Sequence, residues 1–205
     1  MKTPTLEVER KFAPTPTSLR LLADNAGSPP FRCHQFQGDS SFEDVYFDTN
    51  THALSTRGIW LRRRGVDWEA KVRVSGDYTK SAFKELTGVD AISALLRATF
   101  PGTELATDGP TGGGLQWHES ARLGTLRTTY RVDHRFSVVV DKTDFGHCVG
   151  EVELEEPAGE MLENTELVRQ MEKGIDEFMA RYAWAFPRGN VVGKLSAYFS
   201  RLKGG

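Results

Sequence analysis

The sequence predicts an α+β fold in which an antiparallel sheet closes into a barrel with a polar bore, helices pack against its outside, and a last helix ends the chain. Three observations carry this. At least seven short segments alternate charged with apolar residues, the period of a strand whose two faces meet different surroundings. Apolar residues at helical spacing are confined to a few stretches, chiefly Asp90 to Phe100 and the C-terminal region. Two of the strand segments, Glu7-Val8-Glu9-Arg10-Lys11 and Gly150-Glu151-Val152-Glu153, put carboxylates on one face and apolar side chains on the other. On an exposed sheet such rows would simply be solvated. On facing strands they would repel unless cations lay between them, and a charged bore meets that condition.

Taken in order, Leu6 to Phe12 forms the opening strand, with Glu7, Glu9 and Lys11 on one face. Pro14 and Pro16 should stop regular structure, and Thr17-Ser18 should cap a short helix through Leu19, Leu21 and Leu22. Phe31 to Gln37 and Phe42 to Thr49 follow as two strands. Gly58 to Arg64 and Trp68 to Arg73 form a hairpin; parity groups Trp60, Arg62 and Arg64 on one face and Glu69, Lys71 and Arg73 on one face of the return strand. Phe83 to Thr87 is a short strand whose Glu85 is a candidate ligand or arginine partner. Beyond the helix at Asp90 to Phe100, Pro101 to Gly114 should be a loop and Leu115 to Leu123 a short helix. Thr125 to Val132, Phe136 to Asp141 and Val149 to Glu155 are strands, the first placing Arg127, Thr129 and Arg131 on one face. A helix starting at Asn164 or Thr165 carries the stripe Leu167, Met171, Ile175, Phe178, and a final helix spans Val191 to Leu202.

The 205 residues suit one domain, 1–205, with enough apolar material for a core. A net charge of -2 gives no general attraction to nucleic acid or to a membrane surface. The bases are nonetheless segregated around Arg57 to Arg73 and the acids around Glu151 to Glu156, so a site of both signs is expected. No apolar run is long enough to span a bilayer, and Cys33 and Cys148 are too isolated for a disulfide framework or a zinc site. A cytoplasmic, monomeric protein is the expectation. Arginine forks match phosphate oxygens and a tryptophan face holds an aromatic or cationic group, so Trp60, Arg62 and Arg64 could grip a phosphate tail and its organic head.

With these residues in view, the chain resembles the CYTH superfamily, the triphosphate tunnel metalloenzymes. The likeness rests on Glu7 to Lys11, Tyr46-Phe47-Asp48-Thr49, Leu61-Arg62-Arg63-Arg64, Trp68-Glu69-Ala70-Lys71, Lys84-Glu85-Leu86-Thr87, Asp144-Phe145-Gly146, Gly150 to Glu153 and Gly193-Lys194-Leu195, in that order. Trp60 directly before the arginine block resembles the thiamine triphosphatase family of animals. The resemblance implies an eight-stranded antiparallel barrel, the triphosphate tunnel, and hydrolysis of a terminal phosphoryl group. The small-molecule substrate would be thiamine triphosphate, with inorganic triphosphate, a class IV adenylyl cyclase reaction or non-catalytic polyphosphate binding as alternatives. It further implies that Lys11, Arg62, Arg64, Lys71, Arg131 and Lys194 bind the triphosphate, with Trp60 on the head group and Glu85 beside them. Glu7, Glu9, Asp141, Glu151 and Glu153 would hold Mg²⁺ or Mn²⁺, with Val139 and Asp144 as alternative counterparts of the Asp141 position. Tyr46 and Lys71 would handle the proton of the attacking water.

Overall fold

The computed structural model describes residues 3–77, 79–158 and 165–203. Eight strands close into an antiparallel barrel: β1 (Thr5–Phe12), β2 (His34–Thr49), β3 (Ile59–Arg64), β4 (Asp67–Gly76), β5 (Lys80–Thr87), β8 (Trp117–Val132), β9 (Phe136–Thr143) and β10 (Cys148–Pro157). Their order round the barrel is β1-β10-β9-β8-β2-β3-β4-β5, and β5 returns to β1. The hairpin β6 (Thr103–Ala106) and β7 (Gly109–Gly112) stands apart from it. Helices α1 (Pro16–Asp24), α2 (Val89–Thr99), α3 (Thr165–Arg181) and α4 (Lys194–Lys203) complete the described chain.

Strand parity divides the side chains as the alternation requires. On β1 and β10 the outward Val8, Val152 and Leu154 meet Met171, Ile175 and Phe178 of α3, in one apolar cluster that also takes Leu22 of α1. On the opposite half, Leu61, Ala70 and Leu86 meet Ile92 and Leu96 of α2. Arg10, a charged residue on the outer face of β1, is buried there and its Nε donates to Asp176 of α3 at 3.0 Å.

Four local expectations are corrected. Pro16 opens α1 rather than stopping structure, because its missing N–H falls in the first turn; Thr15, not Thr17-Ser18, is the cap, in a reciprocal box with Ser18. The two strands expected from Phe31 to Thr49 are one, carried through an irregularity at Phe36/Gly38 where Gly38 takes φ +115°. Leu115 to Leu123 is not helical: it is the first part of the 16-residue β8, which pairs with β2 from Thr49↔Trp117 to His34↔Val132. A neighbouring strand of equal length decides such a segment over its local pattern. Pro101 to Gly114 holds the β6–β7 hairpin, and at Gly109 a side chain would strike the Phe47 ring at 2.8 Å. The helix start is seen at Thr165; Asn164 lies outside the described residues.

Candidate active site in the barrel bore

The inner face surrounds a cavity of about 300 Å³. Its acidic wall is β1 and β10, in the register Glu7↔Glu155, Glu9↔Glu153 and Lys11↔Glu151. The oxygens of Glu7, Glu153 and Glu155 lie within 4.8 Å of one another, with Glu7 and Glu153 buried. Burial, reinforced by neighbouring carboxylates, holds Glu7 well above the usual carboxylate range against the pull of Lys71. Burial likewise raises Glu153 to about 7, with Arg127 opposing and Glu151 reinforcing the shift. Three converging carboxylates, two of them buried and Glu155 exposed at their edge, fit a hard divalent cation such as Mg²⁺, which takes oxygen ligands and keeps some of its water.

Lys71 of β4 reaches this wall from the opposite side. Its ammonium pairs with Glu7, with Glu9 at 3.3 Å and with Glu85 at 3.1 Å. Burial works against the charge, but Glu7, Glu9 and Glu85 outweigh it and hold Lys71 well above the ordinary lysine value. Lys11 pairs with Glu9 and lies 3.3 Å from Glu151; here too the carboxylates overcome burial and raise the lysine. Glu151 is lowered, burial being overcome by Lys11, Lys194 and Arg127.

The basic wall comes from β3, β8 and α4. Asp44, fully buried on β2, accepts from Arg64 at 2.7 and 2.9 Å and lies 3.8 Å from Arg62, whose Nε donates to Glu69 at 2.8 Å. Asp141, also fully buried, receives the fork of Arg127 at 2.7 and 2.8 Å and the ammonium of Lys194 at 2.5 Å. Paired aspartates thus aim four cations at the bore. Lys194 enters from α4, whose Leu195 and Tyr198 pack with Tyr46, Ala121 and Leu123. The preceding turn is fixed where His147 Nε2 donates to the Val192 carbonyl at 2.7 Å, and the missing side chain of Gly193 leaves room for Lys11, since a Cβ would lie 3.2 Å from its Cε.

Most of the expected residues therefore converge: Glu7, Glu9, Lys11, Tyr46, Trp60, Arg62, Arg64, Lys71, Glu85, Glu151, Glu153 and Lys194 line one cavity. Two do not take the expected place. Asp141 has both oxygens engaged by Arg127 and Lys194, so it anchors cations and is not part of the three-carboxylate group; Asp144 instead accepts from the Gly124 N–H and Val139 is a buried apolar residue. Arg131 is exposed beyond the cavity and donates to the His134 carbonyl, and Arg127, four residues earlier on the same face, stands in the bore. Tyr46 and Lys71 share the cavity but have different partners, Tyr46 Oη accepting from Arg62 at 3.5 Å. Residues not singled out beforehand are Asp44, Arg127 and Glu155. Each had a parity signal: Asp44 shares a face with Tyr46, Arg127 with Arg131, and Glu155 with Glu151 and Glu153.

Comparison with known proteins bears on the fold and the family. Human thiamine-triphosphatase is 35% identical over 167 residues, covering 72% of this chain and 67% of the human protein. The PH1819 protein of Pyrococcus horikoshii OT3 superposes with a TM-score of 0.57 at 17% identity, over 95% of this chain and 99% of that one. HpAC1 from Hippeastrum, described as an adenylyl cyclase candidate with a dominant triphosphatase activity, superposes with a TM-score of 0.56 at 17% identity over 96% of each chain. These two structural likenesses concern the fold. The family model for the CYTH domain matches residues 5–178, and the chain belongs to the CYTH family.

Proposed function

We propose that the protein is a metal-dependent triphosphatase that removes the terminal phosphoryl group of a small-molecule triphosphate, thiamine triphosphate first among them. The observation that carries this reading is the charge of the bore, where eight carboxylates and seven cationic side chains line one cavity. So balanced a wall has little net attraction for a bare polyanion or a bare cation. It suits the two together, a divalent ion against the carboxylates of Glu7, Glu153 and Glu155 and a phosphate chain along Lys11, Arg62, Arg64, Arg127 and Lys194. Glu9 and Glu151 complete the acidic wall.

Phosphoryl transfer needs the chain held in line and its developing charge neutralised. Mg²⁺ or Mn²⁺ bound at the carboxylates would supply Lewis-acid stabilisation of phosphoryl oxygens. The bore's own residues orient the phosphates through guanidinium forks, and Leu195 of α4, which packs with Tyr46, lines the same cavity. Lys71, which reaches Glu7, Glu9 and Glu85 across the bore, is placed to bind phosphoryl oxygens, and Tyr46 stands near the arginines as a hydrogen-bonding group. The base role that family resemblance implies for Lys71 is tested by its pH–rate profile.

Trp60 supports a substrate with an organic head. It lines the cavity, its ring meets Phe83 edge-on at 5.6 Å, and the Arg73 guanidinium lies 4.7 Å from its centroid, so a cation already stacks where a cationic head group would. The test is to offer the purified protein thiamine triphosphate, inorganic triphosphate, ATP and GTP with Mg²⁺ or Mn²⁺, measuring released phosphate and cyclic nucleotide together. Phosphate release with highest kcat/KM on thiamine triphosphate is expected. Cyclic AMP as the main product from ATP, or no turnover of any triphosphate, would overturn the proposal.

A further inference from the structure

Phe42 stands on β2 two positions from Asp44 and four from Tyr46, on the same face, and is half-buried. Three cations from three different elements gather on its ring: Arg64 of β3 with Cζ 3.9 Å from the centroid, Lys194 of α4 with Nζ at 5.5 Å, and Arg127 of β8 with Cζ at 5.6 Å. Like charges this close repel, and the repulsion grows as water is withdrawn. Asp44 relieves it for Arg64, and Asp141 for Arg127 and Lys194. Each further carboxylate would, however, compete with phosphate for the same N–H donors. An aromatic face attracts cations through its quadrupole while adding neither charge nor a strong hydrogen-bond acceptor. The ring can therefore gather the three cations without using up the donors that a polyanion needs.

We propose that Phe42 is a positioning residue for polyphosphate, a neutral platform that holds Arg64, Arg127 and Lys194 as one anion-binding unit. This rests on the triphosphate reading of the bore. It also gives a reason for an apolar ring on a face whose next inward residues are Asp44 and Tyr46: the position faces cations that already have their carboxylates. Packing alone would ask only for bulk, which leucine could supply. A platform asks for the π face.

The experiment separates these. Phe42→Leu, Phe42→Tyr and a protein carrying pentafluorophenylalanine at position 42 are compared with the original for binding of inorganic triphosphate by calorimetry in the presence of Ca²⁺, and for kcat and KM with Mg²⁺. The fluorinated ring keeps the shape but reverses the quadrupole, which keeps the test decisive should Phe42→Leu fold poorly. Phe42→Leu and the fluorinated ring should weaken triphosphate binding about three- to tenfold and raise KM with little change in kcat, while Phe42→Tyr stays within about twofold. Unchanged binding with the fluorinated ring, or an equal loss in Phe42→Tyr, would overturn the platform. If the original protein binds inorganic triphosphate but turns over no triphosphate, thiamine triphosphate included, the triphosphatase reading fails while the binding ratios still decide the role of Phe42. If it binds no triphosphate at all, both fail.

Discussion

The two faces of the same barrel strands are held by opposite physics. Outside, Val8, Val152 and Leu154 are buried against α3, and removal of apolar surface from water stabilises the fold. Inside, Glu7 and Glu153 are almost as deeply buried, yet burial works against their charge. The outer face is therefore what the barrel stands on, and the inner face is a burden on stability that ligands would relieve. Replacing side chains on one face should change melting with chemistry intact, and on the other, chemistry with melting intact or improved.

The largest effect is expected from Glu153→Gln, which keeps the shape and removes a charge from the three-carboxylate group. Turnover should fall about a thousandfold, the loss expected when several kcal/mol of metal-assisted stabilisation goes. Stability of the metal-free protein should move the other way. The Glu153 carboxyl rises from 4.5 to about 7 on folding, so its contribution is full below pH 4.5 and is lost as pH passes through 7. Urea melts should show the variant gaining on the original protein between pH 5 and 8, and Mg²⁺ should raise the melting temperature of the original more at pH 8 than at pH 5. An equal difference at both pH values would mean that Glu153 pays no penalty for its burial.

Met171→Ala tests the other face. Met171 is fully buried on α3 against the barrel, and its truncation should cost about 2–5 kcal/mol and lower Tm on the order of 10 °C. At a temperature where the variant is folded, kcat/KM should be unchanged. A comparable loss of activity there would show that the outer core shapes the bore.

Trp60 sharpens the comparison, since it lines the cavity yet also packs beside Phe83 and near the cluster of Tyr46 and Leu123. Stacking of an aromatic head on such a ring is worth roughly 1–3 kcal/mol, so Trp60→Ala should lower kcat/KM for thiamine triphosphate about ten- to hundredfold and leave inorganic triphosphate nearly untouched. Equal losses on both substrates with a lowered Tm would place Trp60 with the outer-face kind of residue.

The smallest effect is expected from Lys71→Arg. If Lys71 acts as a charge, the guanidinium keeps most of its work and kcat/KM should drop less than about tenfold, with the pH–rate profile unchanged in shape. Near-complete loss, together with loss of an alkaline limb, would restore Lys71 as a base.

The sequence by itself determined which residues face which way. Period-two alternation is a property of the extended chain, so Glu7, Glu9, Lys11, Trp60, Arg62, Arg64 and Lys71 were identifiable as faces before any contact was known, and the family blocks fixed their order. Only the tertiary structure decided which rows meet. Asp141 and Arg131 obey parity but are placed by register: Asp141 sits opposite Arg127 in the β8–β9 pairing, and Arg131 lies too far along β8 to reach the cavity. Local pattern also failed where a partner strand governed, as in Leu115 to Leu123, where Trp117 to Leu123 pair with the distant end of β2, Asp44 to Thr49. The ring of Phe42 under three cations, the Lys194–Asp141 pair and the approach of Glu155 to Glu7 all join residues distant in sequence. Closure of the barrel brings them together, and no short-range pattern records it.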